Sequence, residues 1–498
     1  MGDQNSVLTQ ADARHLLRRA GFSATRKELT AAGITGQTRG AAADKLLNYK
    51  IKTFKPGGKD QQKQHDSLLR YLLVTKTPVQ EKLTLFWHDH FATGITKLLA
   101  MNYGAATKLM AAQNKLLRTM ARGDMRALVK AIGKDAAMIE FLDTVRNDKS
   151  IPNENYAREL MELFTLGVFD SAGNPNYEQQ DIVQIARAFT GWRYSDNGKS
   201  YFDEGAHDFN AEFSGDRGAK RIFTTVGQFG PGGRLFDANG EGAIEIDTVV
   251  DIIFEHRDTD GKNTVARRTA RRLLEFYVGP DDGTPAGKAA RLALIDDVVA
   301  ESSFDTTFSV QALVRAIFCN DAFYATAQPF GLGVTKSVKW PIDFAIGSMR
   351  LLGMKFAGSN KYIPGGSYTG ILTHMENMGQ ILLDPPSVFG WDWETSWLSS
   401  STLLARYNFA RDIVAARGGG RFRPDKVMDM SLTDPGDIVD AVLDALDVAQ
   451  NFSSDDRQVC IDYLTTDGPP DLGDYNYVNE KLHGLFELVM KSPAYQVF

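Results

Sequence analysis

Cysteine is the first shortage: two in 498 residues. Cys319 and Cys460 cannot build a disulfide framework, and neither lies in a CxxC zinc or redox motif. Both sit among apolar neighbours, in "AIFCNDAF" and "QVCIDYL", which predicts buried free thiols, with a single Cys319–Cys460 bridge as the alternative. No apolar run reaches the roughly 18 residues that a membrane-spanning helix requires. Excess basic charge is also missing: 56 Lys+Arg against 62 Asp+Glu gives 56 − 62 = −6, without the basic stripe that marks a nucleic-acid surface. The most basic stretch, "ARRTARRLLEFYVG" from Ala266, alternates with apolar residues at helical spacing and reads as an amphipathic helix with solvated arginines. There is no G-x-S-x-G elbow, Walker A loop, H-E-x-x-H pair or dinucleotide fingerprint. "RDTDGKN" offers Asp258, Asp260 and Asn263 of a calcium loop but lacks the closing glutamate. No signal segment opens the chain. However, "MGDQNSV" reads as a Met-Gly placed before a mature polar N-terminus, so that absence does not assign the protein to the cytoplasm.

What the chain does have is helical period. In "QADARHLLRRAGFS", Ala13, Leu16, Leu17 and Ala20 share a face that ends at Gly21. "PVQEKLTLFWHDHFATG" opens with Pro78 at a helix start and runs to Gly94. Helices resume after Glu245 and continue to the end of the chain. Between Trp192 and Ile244, glycine, aspartate and aromatics gather, and the period predicts loops with one or two hairpins. The expectation is a predominantly α protein: one helical body over 1–498, with helical subregions 1–191 and 245–498 around an irregular 192–244. "FGLGVTKSVKWP" reads as extended, and "ILLDPPSVFGWDWETSWLSSS" as a Pro- and Trp-rich loop.

Three groups of residues could carry chemistry. The first is "NENYARELMELFTLG". Asn153 follows a proline and suits an N-cap, Glu154 suits the positive end of the helix dipole, and Gly167 suits the left-handed stop. Asn155, Glu159 and Glu162 fall on one stripe, while Glu154–Arg158 and Arg158–Glu162 are i,i+4 pairs. This is either a capped helix with an ion-pair ladder or a row of carboxylates facing a cleft. In the second case Glu159 and Glu162 divide acid and base roles, Arg158 orients a carboxylate with Glu154 beside it, and Asn153 and Asn155 grip substrate hydroxyls. The second group is "WHDHF". His88 and His90, two apart on a helix, diverge by about 200° and make a poor chelate, so a metal role for them competes with a core or dipole-complementing role. The third is "GWDWETSW", where Trp391, Trp393 and Trp397 either plug the core beneath a loop or stack on a ligand. Trp192, His207 and Asp208 complete the expected cleft. One of the loop tryptophans is expected to line it with Arg158 or Glu159.

The order of these segments resembles one family, the bacterial domain of unknown function numbered 1800. The likeness runs from "ADARHLLRRAGFSAT" through "EKLTLFWHDHFATG", "NENYARELMELFTLGV", "YEQQDIVQIARAFTGW", "HDFN" and "ARRTARRLLEFYVG" to "MGQILLDPPSVFGWDWETSWLSSSTLLARYNFA". The resemblance implies export to the periplasm or beyond, with a signal sequence removed; it implies no activity. Relatives carry a histidine where this chain has Phe164, and a Lys-Thr-like stretch where it has "NAEFSG".

The expected function is an exported hydrolase acting through inward-facing glutamates on an extracellular polymer, with carbohydrate the first candidate, or on a small-molecule substrate. One alternative is an oxidoreductase with a divalent metal held by His88, His90 and glutamates. The other is a non-enzymatic scaffold or assembly factor with partners in the cell envelope. No nucleic acid and no membrane span enter any of these readings.

Overall fold

The computed structural model describes all residues except 1, 59, 103, 196, 210–217, 231, 237–241, 326–336, 355–368 and 416–421. Helices dominate it, as the period predicts. The stretch "NAEFSG" and most of "FGLGVTKSVKWP" lie outside the described residues.

The local rules read from sequence operate in space. Thr9 caps the Gln10–Ala20 helix in a full capping box with Asp12, and the helix closes at Gly21. Pro78 occupies the first turn of the Pro78–His90 helix. Ser453 and Asp456 repeat the capping box near the other end of the chain. The irregular stretch holds two antiparallel hairpins. Trp192–Tyr194 pairs with Ser200–Phe202, placing Trp192 opposite Phe202, and Arg221–Ile222 pairs with Arg234–Leu235. Among the described residues no helix is long and apolar enough to cross a membrane. Both cysteines are free and buried, which closes the disulfide alternative.

One hydrophobic cluster runs from Leu8 to Val497. At its centre lies the Pro78–His90 helix, buried at every position from Val79 onward. Such a helix must satisfy whatever charge it carries, because an unpaired buried charge costs several kcal/mol. Glu81 takes Arg118 of the Ala106–Met120 helix in a bidentate grip, with contacts at 3.0 and 2.7 Å. Lys82 pairs with Asp343 beneath the Phe22, Phe276 and Phe498 rings. Asp89 takes Arg272 of the Thr264–Tyr277 helix at 3.1 Å. The central helix is thereby tied to three neighbours, and its C-terminal end, "WHDH", is presented to the Trp-rich loop.

Candidate functional site

The segment after Asn153 is not a uniform α-helix. It is α-helical over Asn155–Glu159 and then π-helical over Leu160–Thr165, before Gly167 closes it at φ +81°. Asn153 supplies the cap read from sequence: its side-chain oxygen accepts from the Asn155 N–H at 2.8 Å, while Glu154 already has helical backbone angles and makes no side-chain cap bond.

A π-turn frees carbonyls that an α-helix would use, and each must find a donor. Arg268 donates to the carbonyls of Glu162 at 2.7 Å and Leu163 at 3.4 Å. His90 meets the Phe164 carbonyl at 3.1 Å, and since a carbonyl only accepts, its Nε2 carries the proton. Thr165 closes the turn onto the Leu160 carbonyl. The π register also turns Glu162 off the ladder. Arg158 pairs with Glu154 at 3.1 Å and with Gln179, and the Arg158–Glu162 pair does not form.

Glu159 and Glu162 are both half-buried, and neither carboxylate makes a hydrogen bond or ion pair with any described residue. Burial raises the Glu159 carboxyl above its ordinary value; the neighbouring Glu162 charge adds to this and Arg158 opposes it. Tyr177 lies within reach of the pair's charge. Burial first, then the Glu162 charge, pushes its hydroxyl up to about 12. Arg268 sits on the other side, held down to about 10 by burial and by the adjacent Arg272 guanidinium.

Through Arg268 and Arg272 the strip of charge continues to Asp89. This residue is fully buried, and its carboxylate accepts from the Trp391 backbone N–H at 2.8 Å, from the Trp393 indole at 3.2 Å and from Arg272. Burial lifts its carboxyl to about 6 against those three partners. The approach needs Gly390, at φ +89°, because a Cβ there would stand 2.4 Å from Asp89 Oδ1. Arg272 lies 4.5 Å over the Trp393 ring. Glu275, one turn on, is raised by burial and faces Arg272, Arg271, Arg291 and Arg268.

The "ARRTARR" arginines are therefore not a solvated face. Arg267 binds Asp258, Asp260 and Asp296, so the calcium-like "RDTDGKN" carboxylates are taken by a guanidinium. Arg268 caps the π-turn, and Arg272 holds Asp89.

The remaining predicted residues fall elsewhere. Trp391 and Trp397 are buried, while Trp393 is half-buried above Arg272. Trp391 lines a small cavity of about 30 Å³ with His88, Thr84 and Asn114; neither Arg158 nor Glu159 lines it. His88 faces that cavity with both ring nitrogens unpartnered, whereas His90 faces Phe86 and Phe164. Burial keeps both rings neutral, with pKa values of about 4 and about 3. Among the described residues no group of three or more His, Cys, Asp or Glu is placed to hold a metal ion.

His207 and Asp208 are completely buried. His207 joins Thr190 at 2.8 Å and Glu245 at 3.0 Å; Glu245 also binds Lys220 at 2.7 Å. Asp208 binds Arg187 at 2.8 Å. Trp192 packs on Phe202 beneath Lys134. Asn155 is exposed at the entrance to the helix.

Sequence reasoning passed over Asp89, Arg268 and Tyr177. Asp89 stands between the two histidines that drew attention, and its signal was a carboxylate inside "WHDHF", whose other residues are apolar or histidine.

A large helical body with a buried carboxylate–arginine strip beside an unpartnered glutamate pair is the class that fold and site define. The chain belongs to the family described as "Protein of unknown function (DUF1800)", whose model matches residues 15–497. No curated protein and no solved structure matches it.

Proposed function

We propose that this protein is an exported hydrolase acting on an extracellular polymer of the carbohydrate class, with Glu159 and Glu162 as its working carboxylates. The observation that carries the reading is the state of the pair: two half-buried glutamates one turn apart, neither carboxylate partnered among the described residues. A structural carboxylate at that depth gains a cation or N–H donors, since an unpaired one costs free energy. Two neighbouring carboxylates, one of them raised by burial and by the other's charge, can divide proton donation from activation of water. Glu159, protonated more readily by burial and by its neighbour, gives its proton to the leaving oxygen. Glu162 accepts the proton of the attacking water. Tyr177 and Arg268 border the pair, donating to substrate oxygens and placing positive charge beside the carboxylate that must stay ionised.

The testing experiment compares parent, Glu159→Gln and Glu162→Gln on a panel of soluble polysaccharides, reading reducing ends. Each amide keeps the shape and removes the proton chemistry. Loss of about 10²–10⁴ in rate with an unchanged circular dichroism spectrum is expected. Unaltered hydrolysis by both variants, or no hydrolysis by the parent of any polymer in the panel, contradicts the reading.

A further inference from the structure

The net charge of −6 is not spread evenly along the chain. From Lys45 to Arg122 there are 14 Lys+Arg against 4 Asp+Glu, and 14 − 4 = +10. Each of those four carboxylates is already taken: Asp60 by Lys63, Asp66 by Arg70, Glu81 by Arg118 and Asp89 by Arg272. Lys50, Lys52, Lys55, Lys76 and Lys115 are exposed, and none makes an ion pair with a described residue.

The fold gathers these lysines on one surface. Residues 50–58 cross it as a fixed strap. The Lys52 backbone exchanges two hydrogen bonds with the Gln80 side chain, at 3.0 and 2.9 Å. The Phe54 carbonyl accepts from Arg118 at 2.9 Å, the Phe54 ring stacks on Tyr71 at 3.9 Å, and the Gly57 N–H donates to Ser67 at 3.1 Å. The strap therefore runs antiparallel to the Gln61–Val74 helix, residue 57 meeting 67 and residue 54 meeting 71. The same register carries Ile51 to the C-terminal end of that helix, where Val74 stands two residues before Lys76. Lys115 lies three residues before Arg118, on the exposed side of the Ala106–Met120 helix.

Ile51 is 38% exposed and Val74 is 65% exposed. Two aliphatic side chains ringed by free ammonium groups fit the headgroup–acyl boundary of an anionic bilayer. There the lysine stems lie along the apolar zone and their heads meet phosphate. A soluble polyanion would use the lysines and gain nothing from Ile51 or Val74.

We propose that this face docks the protein peripherally on a membrane surface bearing acidic phospholipids, with the lysines at headgroup level and Ile51 and Val74 entering the boundary. The contact holds whether or not the Glu159–Glu162 pair is catalytic.

The test is flotation of the full chain with vesicles of phosphatidylcholine alone, and of phosphatidylcholine mixed with phosphatidylglycerol, at about 0.1 M and about 0.5 M salt. A chain of net charge −6 is repelled by the anionic vesicles unless a local face overrides that charge. Expected is binding to the anionic vesicles only, weakened at the higher salt. Lys50→Ser combined with Lys52→Ser should bind about 30-fold more weakly, on the order of fivefold for each lysine. Lys55→Ser combined with Lys76→Ser repeats the measurement away from the Gln80 contact. Ile51→Ser should bind the vesicles about fivefold more weakly while binding dextran sulfate as the parent does. The lysine side chains have no partners to lose, so the thermal midpoints of both double variants should match the parent's. Three results overturn the proposal: no binding of the parent to anionic vesicles; undiminished binding by both lysine double variants; or vesicle binding by Ile51→Ser as tight as the parent's, which would make the face a site for soluble polyanions.

Discussion

Two buried polar regions of this molecule use the same residue types to opposite ends. Around His207, every charge is matched. Glu245 holds Lys220 and His207, Asp208 holds Arg187, and Thr190 takes the remaining ring nitrogen. Around the π-turn the backbone is satisfied by Arg268 and His90, while the two glutamate side chains find no partner among the described residues. The first region is a closed network whose free energy goes into holding the 192–245 stretch to the helical body. The second spends its donors on the backbone, fixing the segment while leaving its carboxylates available. Satisfied polar groups argue for structure, and unsatisfied ones for a ligand.

That contrast can be broken most forcefully at the closed network. Lys220→Met takes the lysine ammonium from the completely buried Glu245 carboxylate, leaving it only His207 and the Gly242 N–H. A loss of about 3–5 kcal/mol is expected, read as a large fall in thermal midpoint or in soluble yield. A variant as stable as the parent would mean that the network is not what holds this stretch.

Acid titration acts on several groups, each with an effect of similar size. His65, His88 and His90 are buried neutral, with pKa values lowered to about 4, about 4 and about 3. Below pH 6.5 the unfolded chain takes up protons at these sites and the folded chain does not. Stability therefore falls as pH drops from about 6.5 toward about 4, by roughly 3 kcal/mol for each such histidine. Asp89, raised to about 6, works in the other direction: the folded state binds its proton first, so its share declines as pH rises from about 4 to about 6. Removing one histidine, as in His65→Leu, should flatten the acid limb of a midpoint-against-pH curve. A limb unchanged in slope would contradict burial of that ring.

Gly390→Ala is the next step down. It meets Asp89 Oδ1 and needs a left-handed backbone, so about 1–3 kcal/mol is expected, with the fluorescence of Trp391 and Trp393 altered. Glu159→Gln and Glu162→Gln should change stability least, within about 0.5 kcal/mol by chemical denaturation, because no partner is lost. A cost of several kcal/mol would show that these carboxylates are structural after all.

How much of this was legible beforehand follows from the physics of each signal. Helix starts and stops, the hairpin-bearing stretch and the buried thiols depend on local chemistry, and Pro78, Gly21 and Gly167 each announced themselves. The π-turn did not, because it depends on donors from residues far along the chain, Arg268 and His90. The arginines of "ARRTARR" were misjudged for the same reason: spacing shows that they share helix faces, and only the fold shows that Asp89, Asp296 and the Glu162 carbonyl await them. Of the candidate residues, His207 and Asp208 read as accessible polar groups and prove to be the interior of a closed network. The Trp391 and Trp397 rings belong to the core; Trp391 meets Asp89 through its backbone N–H, and Trp393 through its indole.

The central claim is that the glutamate pair is functional because it is unpartnered. The most direct measurement is carbon-detected NMR titration of the two carboxyl groups in the parent and in Glu162→Gln. The account predicts that Glu159 titrates above the ordinary glutamate value and moves down when the Glu162 charge is removed, with no loss of fold. A Glu159 carboxyl that titrates at or below the ordinary value, unmoved by that substitution, would contradict it.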